Sequence, residues 1–384
     1  MKILPEISRT LSEYLLIPGL TTEDCTPDRV DLGAPLVRHR LGEEPGVRVT
    51  TPLVSAIMQA VSSPTLAVAL ARAGGLSFIH QNQRIEDQAA DVRAVKGHDH
   101  PASRTDDRAS VDGEGRLRVG AGINSRDFKD RVPALVEAGA DVLCLDSSDG
   151  YSVHQARTLE FARETYGEDV PVGAGNVVDG RAFRYLADAG AAFVKVGIGG
   201  GAICTTRAQK GIGRGQASAL LDVVEARDAY AQETGVYVPL CCDGGLLNDS
   251  HMAMALAMGA DFIMLGRYFA RLDESPSRKL LIDGQWYKEY WGEGSLRAQN
   301  EARYGQRGRM VFEEGVDGYV PYAGGLDDNV ERTRAKIAST MISCGSTNLR
   351  DFHRDAVLVP VSAESFKQTG AEVQLRLPAL TSAE

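Results

Sequence analysis

Cysteine is scarce and unpatterned in this 384-residue chain. Six are present, Cys25, Cys144, Cys204, Cys241, Cys242 and Cys344, with no CxxC and no metal-ligand spacing. That excludes a disulfide-built scaffold or a cysteine-ligated zinc site, and it reads as reduced thiols in a cytoplasmic protein. Long hydrophobic runs are missing too, so no segment is expected to span a bilayer. The opening MKILPEISRTLSEYLL has no basic stretch followed by a long apolar core, so no secretory signal is expected. An excess of positive charge is also absent: 42 basic against 52 acidic residues give −10. This balance argues against nucleic acid or an anionic membrane as the main partner, while leaving room for a local basic pocket.

What is present suffices for a large core. A hydrophobic content of 43% over 384 residues supports either one large α/β barrel or two ordinary domains. An internal repeat decides between them. LARAGGLSFI (70–79), LVEAGADVLCLD (135–146), LADAGAAFVKVG (186–197) and LAMGADFIMLG (256–266) share one pattern. Each is the end of an amphipathic helix, a glycine at the C-cap, then a short strand apolar on both faces.

Eight strands follow from this rhythm: PLVSAIM (52–58), GLSFIH (75–80), RLRVGAG (116–122), DVLCLD (141–146), PVGAG (171–175), FVKVG (193–197), VYVPLCCDGG (236–245) and DFIMLG (261–266). With helices between most of them, the expected fold is an α/β (β/α)8 TIM barrel. A doubly wound sheet would crowd its functional residues at one switch point. Here Asp146, Asn176, Cys204, Asp243 and Arg267 follow the ends of different strands, as in a barrel.

Two stretches break the rhythm. Residues 96–116 form a polar, turn-rich linker, and a long excursion follows strand eight over 284–326, rich in aromatic and charged residues. The excursion is expected to be a flap or lid. Residues 1–95 and 117–360 then make up the barrel, with a helix at 329–342 and a C-terminal tail at 361–384.

The densest functional signal is KVGIGGGAICTTRAQKGIGRGQ, residues 195–216. Glycines crowd Gly197–Gly201, so the backbone can adopt positive φ and approach a ligand closely. Exposed N–H groups could bind an anion and clustered carbonyls a cation. Taken alone, Cys204 in this turn is either an inert buried thiol or a nucleophile.

The order of residues in GIGGGAICTTR and KGIGRGQ resembles the catalytic-cysteine loop of the IMP dehydrogenase / GMP reductase family. The resemblance runs through nearly the whole chain: YLLIPGL, PLVSAIM, VGAGIN, LDSSDG, VGAGNV, CDGG and FIMLGR all match it. It implies that Cys204 attacks C2 of the purine and that Thr206 positions the hydrolytic water. It places the nucleotide substrate, IMP, against Ser55, Met58, Ala202, Asp243, Gly244, Gly245, Gly266, Arg267, Tyr290, Glu293, Gly294 and Glu314. Among these, Asp243 would hold the ribose, and Gly244, Gly245, Gly266, Arg267 and Tyr290 the phosphate. NAD would lie against Arg126, Asp146, Ser147, Ser148, Asn176, Gly197 and Gly199, with Asp146 on the nicotinamide ribose and Arg126 stacked on adenine. Carbonyls of Gly199, Gly201 and Cys204 would take a potassium ion.

The resemblance also separates members of the family. Dehydrogenases carry an Arg–Tyr pair on the flap that activates water, and Arg303–Tyr304 in ARYGQ matches it; reductases lack the pair. The expected activity is therefore NAD-dependent oxidation of IMP to XMP in guanine nucleotide synthesis, by a homotetramer. The alternatives are a GMP reductase and a non-catalytic purine-nucleotide sensor. Two departures stand out. Ala202 replaces the usual phosphate-binding serine, and the 96–116 linker is short where most members insert a pair of CBS modules.

Overall fold

The computed structural model describes residues 1, 3–98, 108–298, 312–362, 364 and 365. Arg303, Tyr304, residues 99–107 of the 96–116 linker and most of the tail therefore lie outside the described residues.

Eight parallel strands form one sheet: β1 (Leu53–Ser55), β2 (Phe78–Ile79), β3 (Gly120–Ile123), β4 (Val142–Leu145), β5 (Val172–Val177), β6 (Val194–Val196), β7 (Leu240–Asp243) and β8 (Phe262–Leu265). Consecutive strands pair around the sheet, and β8 returns to β1 with Ile263 opposite Leu53. The remaining gap, between β1 and β2, is closed by a parallel bridge from Val54 to Leu76. Ser55 N–H donates to Leu76 O at 3.1 Å there, and Leu76 N–H to Leu53 O at 3.3 Å. The TIM barrel expected from the strand rhythm is thus present.

The barrel interior explains why some strand positions are glycine. Phe78, Phe193 and Phe262, from β2, the start of β6 and β8, point inward, with ring centroids 6.0 and 5.3 Å apart. A Cβ on Gly173 would fall 2.1 Å from the Phe193 ring, and one on Gly120 2.5 Å from Phe78. Rings from β2, β6 and β8 fill the core where β3 and β5 present glycine, an interleaving typical of barrel layers.

Helices α1 (Pro64–Arg72), α2 (Ile85–Lys96), α3 (Phe128–Glu137), α4 (Val153–Tyr166), α5 (Gly180–Asp188), α6 (Gln216–Thr234), α7 (Asp249–Ala257) and α8 (Leu326–Ser343) surround the barrel. The four repeat glycines, Gly74, Gly139, Gly190 and Gly259, all have φ between +88° and +102°. That conformation ends a helix and turns the chain into the next strand, and it favours glycine. None of the described helices is long and apolar enough to cross a membrane.

Two expectations need correction. VYVPLCCDGG is not one strand: Val236–Tyr237 pairs antiparallel with His39–Arg40, and only Leu240–Asp243 joins the barrel. Pro239 stands between them and has no N–H to continue a ladder. The excursion after strand eight begins earlier than expected, as an antiparallel sheet of β9 (Lys279–Ile282), β10 (Gln285–Trp291) and β11 (Asp317–Pro321). Its first turn is Asp283–Gly284, both at positive φ, a pairing that matches the twist of a two-residue hairpin. A helix at Leu349–Asp355 leads to a strand, Val357–Pro360, that pairs antiparallel with Tyr14–Ile17 near the start of the chain.

Candidate active site

A cleft of about 280 Å³ opens at the C-terminal ends of the barrel strands. It is lined by Met58, Asp146, Ser147, Ser148, Asn176, Gly197, Gly199, Gly201, Ala202, Cys204, Thr206, Asp243, Gly244, Gly245, Gly266, Arg267, Tyr290, Glu293, Gly294 and Glu314. Two other expected site residues are not brought there. Ser55 is fully buried, its hydroxyl shared with those of Ser62 and Ser77 at 2.7 Å each. Arg126 is exposed on the loop after β3, away from the cleft lining.

Two glycine turns form the floor. Gly245 N–H donates to Gly200 O at 2.9 Å, so the turn after β7 hydrogen-bonds directly to the one after β6. Gly197 has φ +136°, and a Cβ there would fall 2.0 Å from the Asp243 carbonyl oxygen. Only a bare backbone lets the two loops meet.

Lys195 anchors this floor from below, and it is the residue the sequence reading missed. Its side chain is 1% exposed, and Nζ lies 3.0 Å from Asp146 Oδ1 and 3.2 Å from Asp243 Oδ2. Burial alone would lower its pKa, but the two carboxylates outweigh it and hold the ammonium well above its ordinary value. A strand residue two places beyond Phe193 points to the same interior, and that spacing was the available signal. Asn176 donates from Nδ2 to Gly197 O at 2.6 Å and to Asp243 Oδ2 at 2.9 Å. Asp243 thus has one oxygen held by the protein and Oδ1 left to the cleft. Asn176 Oδ1 is buried without a partner, an acceptor suited to a bound donor.

Cys204 differs from the other five cysteines, all of which are buried. Burial pushes the Cys144 and Cys242 thiols up to about 12, so neither is a thiolate at neutral pH. Cys204 is part-exposed in the cleft, and its Sγ donates to Thr206 Oγ1 at 3.2 Å. Thr206 in turn donates to Glu314 Oε2 at 3.1 Å, while Lys210 Nζ pairs with Glu314 Oε1 at 2.8 Å.

Glu314 reaches this chain because the limb returning from the excursion lies along the cysteine loop. Thr205 N–H donates to Glu314 O at 3.2 Å and Val316 N–H to Ile203 O at 3.1 Å. The outgoing limb is fastened to the barrel as well. Glu293 accepts the Gln59 N–H at 2.6 Å and Asn82 Nδ2 at 3.0 Å, and Trp291 Nε1 donates to Gln59 Oε1 at 3.2 Å. Gln59 and Asn82 were not singled out in the sequence, though for Asn82 the polar run HQNQ directly after β2 lies where loops carry function.

At the β8 end of the cleft, Arg267 and Tyr290 face it beside Gly266. Arg267 has no carboxylate partner among the described residues. A Cβ on Gly266 would fall 2.7 Å from the Tyr290 hydroxyl, so that position too must stay bare. Burial, reinforced by Asp243, raises the Tyr290 pKa and keeps its phenol a donor.

Residues 8–371 match the family model for the IMP dehydrogenase / GMP reductase domain. The chain belongs to this family. It is 45% identical to the inosine-5'-monophosphate dehydrogenase of Tritrichomonas foetus, over 96% of this chain and 97% of that one. Its identity to the enzyme of the same name from Cryptosporidium parvum is 32%, and to that of Escherichia coli 28%, each over 94% of both chains. The alignment with the Tritrichomonas protein spans 486 positions against 384 residues here, so that relative carries a long segment with no counterpart in this chain. The Cryptosporidium alignment spans only 392 positions. Family members thus occur at both lengths.

Proposed function

We propose that the protein oxidises IMP to XMP with NAD as hydride acceptor, through a covalent adduct on Cys204, in guanine nucleotide synthesis. The observation that carries this reading is the position of Cys204. It is the one cysteine of the six that is not buried, and it shares a cleft with the Asp243 carboxylate and the glycine turns.

The purine nucleotide fits the cleft with its ribose on Asp243 Oδ1 and its phosphate among Gly244, Gly245, Gly266, Arg267 and Tyr290. The Cys204 proton passes along Thr206 to Glu314, and the sulfur forms a bond to C2. Bound NAD supplies the acceptor for the hydride that leaves C2. Water then adds at C2, the C–S bond breaks, the thiol is restored and XMP leaves with one proton released. Asp146, Ser147, Ser148 and Asn176 line the side of the cleft suited to the dinucleotide. Arg303 and Tyr304 would activate the water. A potassium ion would sit on carbonyls of Gly199, Gly201 and Cys204. Gly201 O already accepts the Cys204 N–H at 3.1 Å, and its second lone pair remains available.

By the same reading, residues 1–95 and 117–360 form the catalytic barrel, 96–116 a linker in place of a CBS pair, 284–326 the flap and 361–384 a tail. The protein would work in the cytoplasm as a homotetramer. Leu15, Ile17, Val357 and Val359, exposed on one face of the terminal strand pair, support association.

Incubation with IMP and NAD should produce reduced nicotinamide. Cys204→Ala should abolish it while IMP binding, followed by calorimetry, persists. Arg303→Ala should give a burst near one NADH per site, then turnover slowed by about 10²–10⁴-fold, with a trappable nucleotide on Cys204. Oxidation of NADPH with GMP would instead support the reductase reading. IMP binding without turnover in the wild-type protein would support the sensor.

A further inference from the structure

A second cavity, of about 660 Å³, lies at the opposite end of the barrel. Asp141, Pro171 and Ala192, which immediately precede or lead into β4, β5 and β6, form part of its wall. The charged side chains around it fall into two groups. Lys96 is neutralised by Asp112 and Asp141, at 2.8 and 2.9 Å, and Arg116 by Asp112 and Glu114, at 3.0 and 3.1 Å.

The second group makes no ion pair among the described residues, although Asp141 acts on Arg118 from a longer distance. Arg38, Arg118 and Arg163 also line the cavity, and none has a carboxylate within ion-pair distance among the described residues. Arg38 and Arg118 make only carbonyl contacts, Arg38 Nη1 with Ala187 O at 3.4 Å and Arg118 Nε with Val111 O at 2.7 Å. Arg163 and Arg38 converge on Gly190. A Cβ there would lie 3.6 Å from Arg163 Nη1 and 3.9 Å from Arg38 Nη1, so both guanidinium groups sit over the same bare glycine. Two like charges near one another repel, and an anion accepting from both would offset that repulsion. A phosphate can accept from two guanidinium groups at once, since each N–H···O contact reaches about 2.9 Å and guanidinium suits phosphate geometry. Glu168 and Asp169, exposed on the rim, oppose this charge without pairing to it.

We propose that this cavity is a second small-molecule site, for a ligand carrying a diphosphate group, with Arg38 and Arg163 sharing its oxygens and Arg118 contributing the third positive charge. The volume exceeds what a diphosphate needs and is in the range of nucleotide-sized ligands. The site stands apart from the upper cleft, so it does not depend on the reaction proposed there.

The test is equilibrium binding of pyrophosphate, and separately of uridine 5'-diphosphate, to the full chain with the upper cleft saturated by IMP. Wild-type protein should bind at least one of them, and more weakly as sodium chloride rises. The double variant Arg38→Gln/Arg163→Gln should lose roughly tenfold or more in affinity, the scale of a lost charge-assisted hydrogen bond. Glu168→Gln/Asp169→Asn should bind severalfold more tightly, an opposite change that damage to the fold would not produce. Dehydrogenase activity of both variants checks that the barrel is intact. Tighter binding of uridine diphosphate than of pyrophosphate assigns the rest of the cavity to a nucleoside, and equal binding assigns the site to the diphosphate group alone. Absence of binding by the wild type, or binding that neither pair of substitutions changes, overturns the proposal.

Discussion

Lys195, Asp146 and Asp243 show how far a residue's role depends on what the fold places beside it. A lysine within an apolar strand carries no functional signal by itself, yet here it links the acid on the β4 loop to the acid at the end of β7. Ser55 shows the reverse. Its place beside a barrel cleft fits a ligand contact, but Ser62 and Ser77 use its hydroxyl inside the core. Sequence cannot separate a buried hydroxyl from a presented one when both sit at a strand end. Ala202 is exposed in the cleft, where a serine would add a donor without crowding a neighbour. Ala202→Ser should therefore lower KM for IMP, by up to roughly tenfold if one charge-assisted hydrogen bond forms. An unchanged KM in steady-state kinetics would mean that Arg267 and Tyr290 already satisfy the phosphate.

Among the elements, the barrel strands were legible because they are apolar on both faces and four of them follow a helix that ends in glycine. These are local features, and the structure keeps them, down to the positive φ of Gly74, Gly139, Gly190 and Gly259. What the sequence hid is non-local. Nothing in Val236–Tyr237 announces His39–Arg40 as its partner, and nothing in Val357–Pro360 announces Tyr14–Ile17. The glycine-rich loop was readable as a ligand-wrapping turn, but its fit against the turn after β7 was not. That fit makes a sharp demand on Gly197. In Gly197→Ala the new methyl meets the Asp243 carbonyl in a conformation L-residues rarely adopt. A loss of at least about 2–3 kcal/mol in urea unfolding is expected, together with weakened IMP binding in calorimetry. A variant as stable as the wild type would show that the two turns need not touch.

At the scale of the whole molecule, the barrel is held by more than its sheet. Lys96 ends α2, Asp112 lies within the linker and Asp141 immediately precedes β4, so one buried ammonium joins three parts of the chain. Its side chain is 7% exposed, against 13% for Asp112 and 9% for Asp141. Lys96→Met should leave two carboxylates facing each other out of water, costing about 3–5 kcal/mol. Lys96→Met/Asp141→Asn should recover part of that loss, and urea midpoints for the two variants give the comparison. Equal midpoints for wild type and Lys96→Met would place the stabilisation elsewhere.

The pairing of Tyr14–Ile17 with Val357–Pro360 gives the backbone a second closure besides that of the barrel. Leu15 lies opposite Val359 and Ile17 opposite Val357, residues separated by almost the full length of the chain. A strand near a terminus usually frays on its own and offers a protease its first foothold. In this molecule each terminal strand is the other's cover, so neither can peel away without exposing its counterpart. The two ends of the polymer behave as one seam, and the seam opens as a unit or stays shut.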